Sequence, residues 1–74
     1  MTEKTLNLRG LKCPLPALRA KKALSSMAAG DLLIIECTDP LTVIDIPNLL
    51  RQTGDKLEAK SEAGGVLTFQ IRKQ

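Results

Sequence analysis

The sequence predicts an α+β fold, a two-layer α/β sandwich in which two helices cover one face of a four-stranded mixed sheet. Three observations predict it: short segments of alternating polarity, segments with helical spacing, and one apolar segment between the helices. The predicted order is β-α-β-α-β-β. Strand-helix-strand connections favour parallel pairing with a right-handed crossover, whereas a terminal hairpin is antiparallel. No linker or repeat interrupts this order, so residues 1–74 are expected to form a single domain.

The first half of the chain predicts a strand, a helix and a buried strand. Leu6 and Leu8 alternate with polar residues, as in a half-buried strand. From Pro14 to about Met27 the apolar residues follow helical spacing, and Gly30 is a natural position for that helix to end. Residues 31–37, DLLIIEC, form a short segment that is apolar on both faces, which is typical of a central strand.

The second half predicts another helix and a hairpin. Residues 38–54 supply the helix, which ends at Gly54. Pro47 cannot donate a hydrogen bond to the carbonyl four residues earlier. The helix is therefore either kinked there or regular only from about Asp45. The last two alternating segments flank residues 63–65, AGG, which predict the turn of the hairpin.

Composition limits the chemistry that the chain can perform. Two cysteines, Cys13 and Cys37, lie 24 positions apart, and there is no histidine. A zinc site, a Cys-His pair and a Cys-x-x-Cys motif are not predicted, and we expect neither a metal nor another cofactor. A single aromatic residue and a net charge of +3 argue against strong nucleic-acid binding. No apolar run has membrane-spanning length and no signal sequence is evident, so we expect a cytoplasmic protein with reduced thiols and no membrane partner.

The stretch LKCPLPAL, residues 11–18, places cysteine where the first helix is predicted to begin. In Cys13-Pro14 and in Asp39-Pro40 the proline suits the first helical position, so the preceding residue becomes the N-cap. Asp39 is an ordinary cap, whereas a protonated cysteine is a poor one. A thiolate fits better, because the positive end of a helix lowers a cysteine pKa. We expect Cys13 to be an exposed, activated nucleophile, and Cys13→Asp to lose activity without losing stability.

The neighbours of Cys13 are predicted to position the sulfur or to guide partners to it. Pro14 and Pro16 stiffen the turn, and Leu15 lies between them beside the sulfur. The candidates for electrostatic steering or partner docking are Arg9, Lys12, Arg19 and Asp45. The three basic residues would also lower the cysteine pKa. Asp45 either caps the helix segment that Pro47 opens or belongs to the partner-facing surface.

Cys37 shares its strand face with Leu33 and Ile35, which predicts a buried structural thiol. Parallel pairing of the first two strands would nevertheless bring both cysteines to one sheet edge. A redox protein that uses Cys13 and Cys37 is therefore one alternative. The other is a small regulatory or nucleic-acid-binding module without sulfur transfer, in which serine would replace Cys13 without loss.

The segments LRGLKCPLPALRAKKAL, TDPLTVIDIP and QTG resemble the TusA/SirA-like sulfur-carrier family, over a range from about Leu6 to Arg72. Cys-Pro-x-Pro is the hallmark motif of that family. The resemblance implies a sandwich similar to the C-terminal domain of bacterial initiation factor 3. It also implies that Cys13 is the catalytic residue and carries sulfane sulfur as a persulfide.

The resemblance implies protein partners as well. The sulfur donor would be a cysteine desulfurase or a rhodanese-like protein, and an acceptor protein would serve tRNA thiolation, a molybdenum-cofactor enzyme or sulfur oxidation. The chain would act as a sulfurtransferase-type carrier, a persulfide relay and not an ordinary turnover enzyme. Leu15 stands where members of the tRNA-thiolation branch often have glutamate, which suggests a different docking partner.

Overall fold

The strands and helices follow one another in the predicted order. The computed structural model describes residues 2–74, and its elements follow the order β-α-β-α-β-β. They are β1 (Glu3–Leu8), α1 (Leu15–Ser25), β2 (Leu32–Cys37), α2 (Thr42–Thr53), β3 (Lys56–Ala63) and β4 (Val66–Arg72). The predicted α+β class and element order are confirmed.

The strands form one mixed sheet in the order β1-β2-β4-β3. β1 pairs with β2 in parallel, so that Leu8 lies opposite Cys37. β4 is antiparallel to both β2 and β3, and Cys37 also lies opposite Leu67. The carboxyl ends of β1 and β2 therefore meet at the same edge of the sheet. The loops that lead into the two helices both leave from that edge.

The core lies between the helices and one face of the sheet. Alternate residues of β2 and β4 point into it, and its fully buried strand residues are Leu33, Ile35, Cys37, Phe69 and Ile71. Both helices bury an apolar stripe against this face, formed by Ala20, Ala23, Leu24, Ile46, Leu49 and Leu50. The opposite face of β2 is only half-buried. Helices on one face of the sheet are what strand alternation predicts.

The first helix is shorter than its apolar spacing predicts. It ends at Ser25 and not near Met27, and the N–H of Ser26 closes the last turn on the carbonyl of Ala23. Gly30 does not end the helix. It lies in the turn before β2 with a φ of +92°, which glycine adopts at low cost.

The second helix is a single helix that continues through Pro47. Its regular part begins at Thr42, which excludes the alternative of a helix that is regular only from about Asp45. Gly54 follows the helix with a φ of +81°, and its N–H bonds the carbonyl of Leu50, as predicted for a glycine C-cap. No helix within residues 2–74 is both long and apolar enough to cross a membrane.

Candidate functional site

Cys13 lies in an open cleft at the edge of the sheet where β1 and β2 end. The cleft has a volume of about 570 Å³ and is lined by residues 10–13 and 38–41, the two loops that lead into the helices. Two hydrogen bonds join these loops. The N–H of Gly10 donates to Oγ1 of Thr38 at 2.9 Å, and the N–H of Cys13 donates to Oδ2 of Asp39 at 2.6 Å. The thiol itself is exposed and free.

Cys13 is not the N-cap of α1, contrary to the prediction. The helix begins at Leu15, and Pro14 is its N-cap. The reason is visible in the hydrogen bonds: the N–H of Leu18 donates to the carbonyl of Pro14 at 3.1 Å, whereas the carbonyl of Lys12 accepts from Leu15 in a tighter turn. Cys13 therefore precedes the cap by one residue. The peptide bond between Cys13 and Pro14 is cis.

Asp39 has a different role from the predicted helix cap. α2 begins at Thr42, and Leu41 is its N-cap. The N–H groups of residues 42–44 donate to the carbonyls three residues earlier, so the chain enters the helix through tight turns. The Asp39 carboxylate instead accepts hydrogen bonds from the N–H groups of Leu41 and Cys13. These bonds, together with the charge of Lys12, lower the pKa of Asp39. The carboxylate is thus held as an anion next to the sulfur.

The pKa of the Cys13 thiol is raised, which corrects the prediction of a lowered value. The largest cause is a hydrogen bond from the thiol to the Asp45 carboxylate, followed by partial desolvation and by the negative charges of Asp45 and Asp39. Carboxylates close to the sulfur disfavour the thiolate. In the isolated chain the thiol form of Cys13 is therefore favoured.

Asp45 reaches the site from the first turns of α2. Its side chain is half-buried, and its Oδ2 is buried without a hydrogen-bond partner among residues 2–74. Together with Pro14 and Lys21 it lines a shallow groove between the helices. Sequence reasoning missed its approach to the sulfur. The available signal was that both helices start from one sheet edge, which brings their first turns side by side.

The predicted basic residues are not gathered around the sulfur. Lys12 lines the Cys13 cleft. Arg9 instead forms an ion pair with Glu36 at 3.6 Å and does not line the cleft. Arg19 lines a separate groove of about 420 Å³ between β1 and α1, together with Lys22 and Lys4. None of the three basic residues is among the causes that set the pKa of the Cys13 thiol, so the prediction that they lower this pKa is wrong.

The Cys-Pro-x-Pro residues divide between surface and core. Pro14 is exposed, Pro16 is fully buried, and Leu15 between them is 44% exposed. Burial of Pro16 attaches the first turn of α1 to the core, so the preceding cysteine is held at a defined place. Large apolar side chains are exposed on the same helix ends: Leu15, Leu18, Leu41, Val43 and Ile44. The sequence did not single out the last four of these.

Cys37 lies at the same edge but inside the core, as its strand parity predicts. Its side chain is fully buried, and it is a free thiol. Burial, with the charge of Asp39 as a second cause, raises the pKa of Cys37 to about 11. Its thiolate fraction near neutral pH is consequently very small, which disfavours the alternative of a Cys13–Cys37 redox pair.

The chain is similar to proteins of one family along nearly its whole length. The profile of the family described as "Sulfurtransferase TusA" matches residues 4–73. The sulfur carrier protein TusA of Allochromatium vinosum is 44% identical over 71 residues, covering 96% of this chain and 93% of that protein. The sulfur carrier protein TusA of Pseudomonas entomophila is 37% identical over 70 residues, covering 95% and 88%. The crystal structure of a SirA-like protein from Desulfitobacterium hafniense matches with a TM-score of 0.83 and 26% identity, covering 93% of this chain and 95% of that chain.

Proposed function

Because the chain belongs to the TusA family, we propose that it is a sulfur carrier whose Cys13 accepts sulfane sulfur as a persulfide and passes it to an acceptor protein. The family membership confirms the resemblance that the Cys-Pro-x-Pro motif indicated. The observation that carries the proposal is the exposed, free thiol of Cys13 in an open cleft between two loops. An open cleft lets another protein bring its own sulfur atom to this thiol.

The chemistry consists of two exchanges of a sulfur-sulfur bond. In loading, the Cys13 thiolate attacks the outer sulfur of a donor persulfide. A bond forms between that sulfur and Cys13, the donor's sulfur-sulfur bond breaks, and the donor cysteine leaves as a thiolate. In delivery, an acceptor thiolate attacks the outer sulfur held by Cys13. A bond forms between that sulfur and the acceptor, the sulfur-sulfur bond to Cys13 breaks, and Cys13 leaves as a thiolate that takes up a proton. One persulfide replaces another in each step, so no electron carrier or other cofactor is needed.

The donor is proposed to be a cysteine desulfurase or a rhodanese-like protein, and the acceptor a second sulfur-handling protein. The exposed Leu15, Leu41 and Ile44 stand on the helix ends beside the cleft, and apolar side chains of this size are typical of partner contacts. Lys12 at the cleft offers a charge for acidic groups of a partner. Arg9 and Arg19 are proposed to act only at longer range, through the field of the whole surface.

The residue between the prolines bears on the choice of acceptor. Leu15 presents an apolar side chain next to Cys13, 44% of it exposed. Members of the tRNA-thiolation branch of the family that this chain resembles often have glutamate at this position. Since this chain has leucine there, we expect its acceptor to offer an apolar contact at that point. A Leu15→Glu variant should then lose delivery to that acceptor while Cys13 still loads. Pro14 and Pro16 are assigned to positioning, since neither side chain takes part in the exchange.

Intact-protein mass spectrometry tests the proposal. The chain is incubated with a cysteine desulfurase and free cysteine, or with a rhodanese-like donor and its substrate. We expect one added sulfur atom that a reducing agent removes. Cys13→Ser should abolish the adduct, whereas the matched control Cys37→Ser should retain it. Absence of an adduct with both donor classes, or an adduct that Cys13→Ser retains, would contradict a carrier role for Cys13.

A further inference from the structure

We propose that the groove between β1 and α1 is a docking site for an extended acidic segment of a partner protein, which adds to the free edge of β1 as a further strand. The inference does not depend on the sulfur-carrier role, because neither cysteine lines this groove. It also gives Arg19 a direct contact with a partner here, whereas at the Cys13 cleft Arg19 is proposed to act only from a distance.

The free edge of β1 offers backbone groups to such a segment. In the sheet order β1-β2-β4-β3 the first strand has one neighbour, so every second residue points its N–H and carbonyl away from β2. The carbonyl of Thr2 accepts a hydrogen bond from the N–H of Leu32 on β2. Because the direction of the backbone groups alternates along a strand, the outward groups are those of Glu3, Thr5 and Asn7. Asn7 lines the groove, which therefore reaches this edge.

Positive charge lines the groove without a compensating negative charge. The groove has a volume of about 420 Å³, and its charged lining residues are Lys4, Arg19 and Lys22. All three are exposed, and none of them forms an ion pair within residues 2–74. Arg19 and Lys22 lie three positions apart on one side of α1, with Lys4 opposite them on β1. Charge complementarity therefore assigns an acidic occupant to the groove.

The uncharged lining fits a polypeptide better than a nucleic acid. Leu6 and Leu8 give the groove an apolar floor. The hydroxyls of Ser25 and Ser26 donate to carbonyls of their own helix at 2.7 and 2.9 Å, so their oxygens remain as acceptors. A phosphate group has no donor for such acceptors, whereas a peptide backbone brings an N–H at almost every residue. Base stacking needs an aromatic platform, and the only aromatic residue, Phe69, is buried in the core.

The same charges disfavour a second copy of this chain as the occupant. Two β1 edges paired with each other would bring the cations of both grooves together, and like charges on paired strands repel. A lysine on an edge strand is one way in which proteins prevent such self-pairing. An acidic strand meets no such repulsion. Every second side chain of the added strand points to the face on which Leu6 lies, where its carboxylate meets Lys4, Arg19 and Lys22.

A synthetic peptide of alternating glutamate and threonine, labelled with fluorescein, is the probe for this site. Its fluorescence anisotropy measures binding to the whole chain. We expect a peptide of alternating glutamine and threonine to bind several-fold more weakly, and added salt to weaken binding of the acidic peptide. Amide signals of the isotope-labelled chain in nuclear magnetic resonance spectra locate the bound peptide. The largest changes are expected at the outward N–H groups of Glu3, Thr5 and Asn7.

Lys22→Glu and Lys21→Glu form a matched pair of variants. Both reverse one exposed charge on α1, but Lys22 lines this groove, whereas Lys21 lines the groove that contains Asp45. We expect Lys22→Glu to weaken binding of the acidic peptide several-fold and Lys21→Glu to change it little. Circular dichroism and thermal unfolding establish that both variants are folded.

N-methylated peptides test whether the occupant pairs as a strand. One acidic peptide is methylated on the backbone nitrogen of every glutamate, and another on that of every threonine. In an added strand one of these two sets of N–H groups points to β1 and the other points away from it. We therefore expect one methylated peptide to lose binding and the other to keep it.

Binding of the acidic peptide at the β1 edge supports the inference if Lys22→Glu and one of the two methylations abolish or weaken it. Absence of binding overturns it, and so do equal losses in the two lysine variants, because net charge alone would then hold the peptide. Binding that survives both methylations, or that both abolish, also overturns it, since no added strand would then be indicated. An oligouridylate that displaces the acidic peptide and binds more tightly would identify a nucleic-acid groove instead, and self-association of the chain through this edge would identify a second copy.

Discussion

The backbone N–H of Cys13 donates a hydrogen bond of 2.6 Å to Oδ2 of Asp39, which lies 26 positions later in the chain. The other oxygen of the same carboxylate accepts from the N–H of Leu41 at 3.0 Å. Asp39 therefore joins the loop that carries the sulfur to the loop that leads into α2. It also places a fixed negative charge beside the thiol. The shape of the cleft and the protonation of the sulfur consequently depend on the same side chain.

Asp39→Asn should weaken both effects. The N–H groups of Cys13 and Leu41 bond to different oxygens of Asp39, and asparagine replaces one of these oxygens by an NH2 group that cannot accept, so we expect a lower melting temperature. Loss of the charge should lower the pKa of the Cys13 thiol, because the Asp39 carboxylate is one of the groups that raise it. Thermal unfolding and the pH profile of iodoacetamide alkylation measure the two changes. An unchanged melting temperature would show that the two loops hold together without this carboxylate.

Asp31 predicts how stability changes in acid. Its carboxylate accepts hydrogen bonds from the N–H groups of Thr2 and Ala28, and these bonds lower its pKa. A carboxylate with a lowered folded pKa stabilises the fold above its unfolded pKa of about 4, and this stabilisation is lost as the pH falls through the folded value. Asp31→Asn should therefore be less stable at pH 7, with the difference from the parent shrinking below pH ~4.

Urea unfolding at several pH values checks this expectation. Glu62→Gln is the matched control, since Glu62 is an exposed strand residue without an ion pair among residues 2–74. A constant difference between Asp31→Asn and the parent from neutral pH to strong acid would mean that packing, and not ionisation, is what Asp31 contributes.

Phe69 is a large apolar side chain in the core, and Ile44 is one on the surface. Phe69 is the only aromatic residue and is fully buried, whereas Ile44 is 61% exposed. Phe69→Ala should lower the free energy of unfolding by about 3–5 kcal/mol, because it removes buried surface and leaves a cavity. Ile44→Ala should stay within about 0.5 kcal/mol of the parent. Urea unfolding measures both, and a similar loss in the two variants would contradict the assigned core.

The element order could be predicted from the sequence because burial imposes a period on each segment. The alternation of polar and apolar residues in β1 and β4 can be recognised in the sequence, and so can the helical spacing in α1, even though local propensity is weak. The position of β4 between β2 and β3 had no signal of this kind. It depends on which strand of the β3-β4 hairpin pairs with β2, and packing across the whole sheet determines this pairing.

The site was harder to predict because it depends on through-space neighbours. The Cys-Pro-x-Pro motif pointed to Cys13, the residue proposed to carry sulfur. The start of α1, however, depends on which carbonyl accepts from the N–H of Leu18, and that carbonyl belongs to Pro14. Similarly, the prediction of a lowered Cys13 pKa considered only the helix end and nearby basic residues. Asp45 comes from another helix, and its effect on the thiol appears only once α1 and α2 lie side by side.

The same correction reverses one expectation about Cys13→Asp. The Cys-Pro pattern predicts that aspartate would be a good helix cap there and would cost no stability. In the structure Pro14 is the cap, and residue 13 lies beside the carboxylates of Asp45 and Asp39. A third carboxylate at this point is repelled by both. We therefore expect Cys13→Asp to be less stable than Cys13→Ser at neutral pH.

The pH dependence of that loss identifies its cause. Repulsion raises the folded pKa of the new aspartate, so the destabilisation is present above that pKa and disappears as the pH falls and the carboxyl group takes up a proton. Adding Asp45→Asn to Cys13→Asp should recover part of the loss at neutral pH, because it removes the carboxylate that contributes most to raising the pKa of Cys13 in the parent. Melting temperatures of the two single variants and of the double variant, at neutral and acid pH, make the comparison. If Cys13→Asp is as stable as Cys13→Ser at neutral pH, the side chain of residue 13 caps the helix after all.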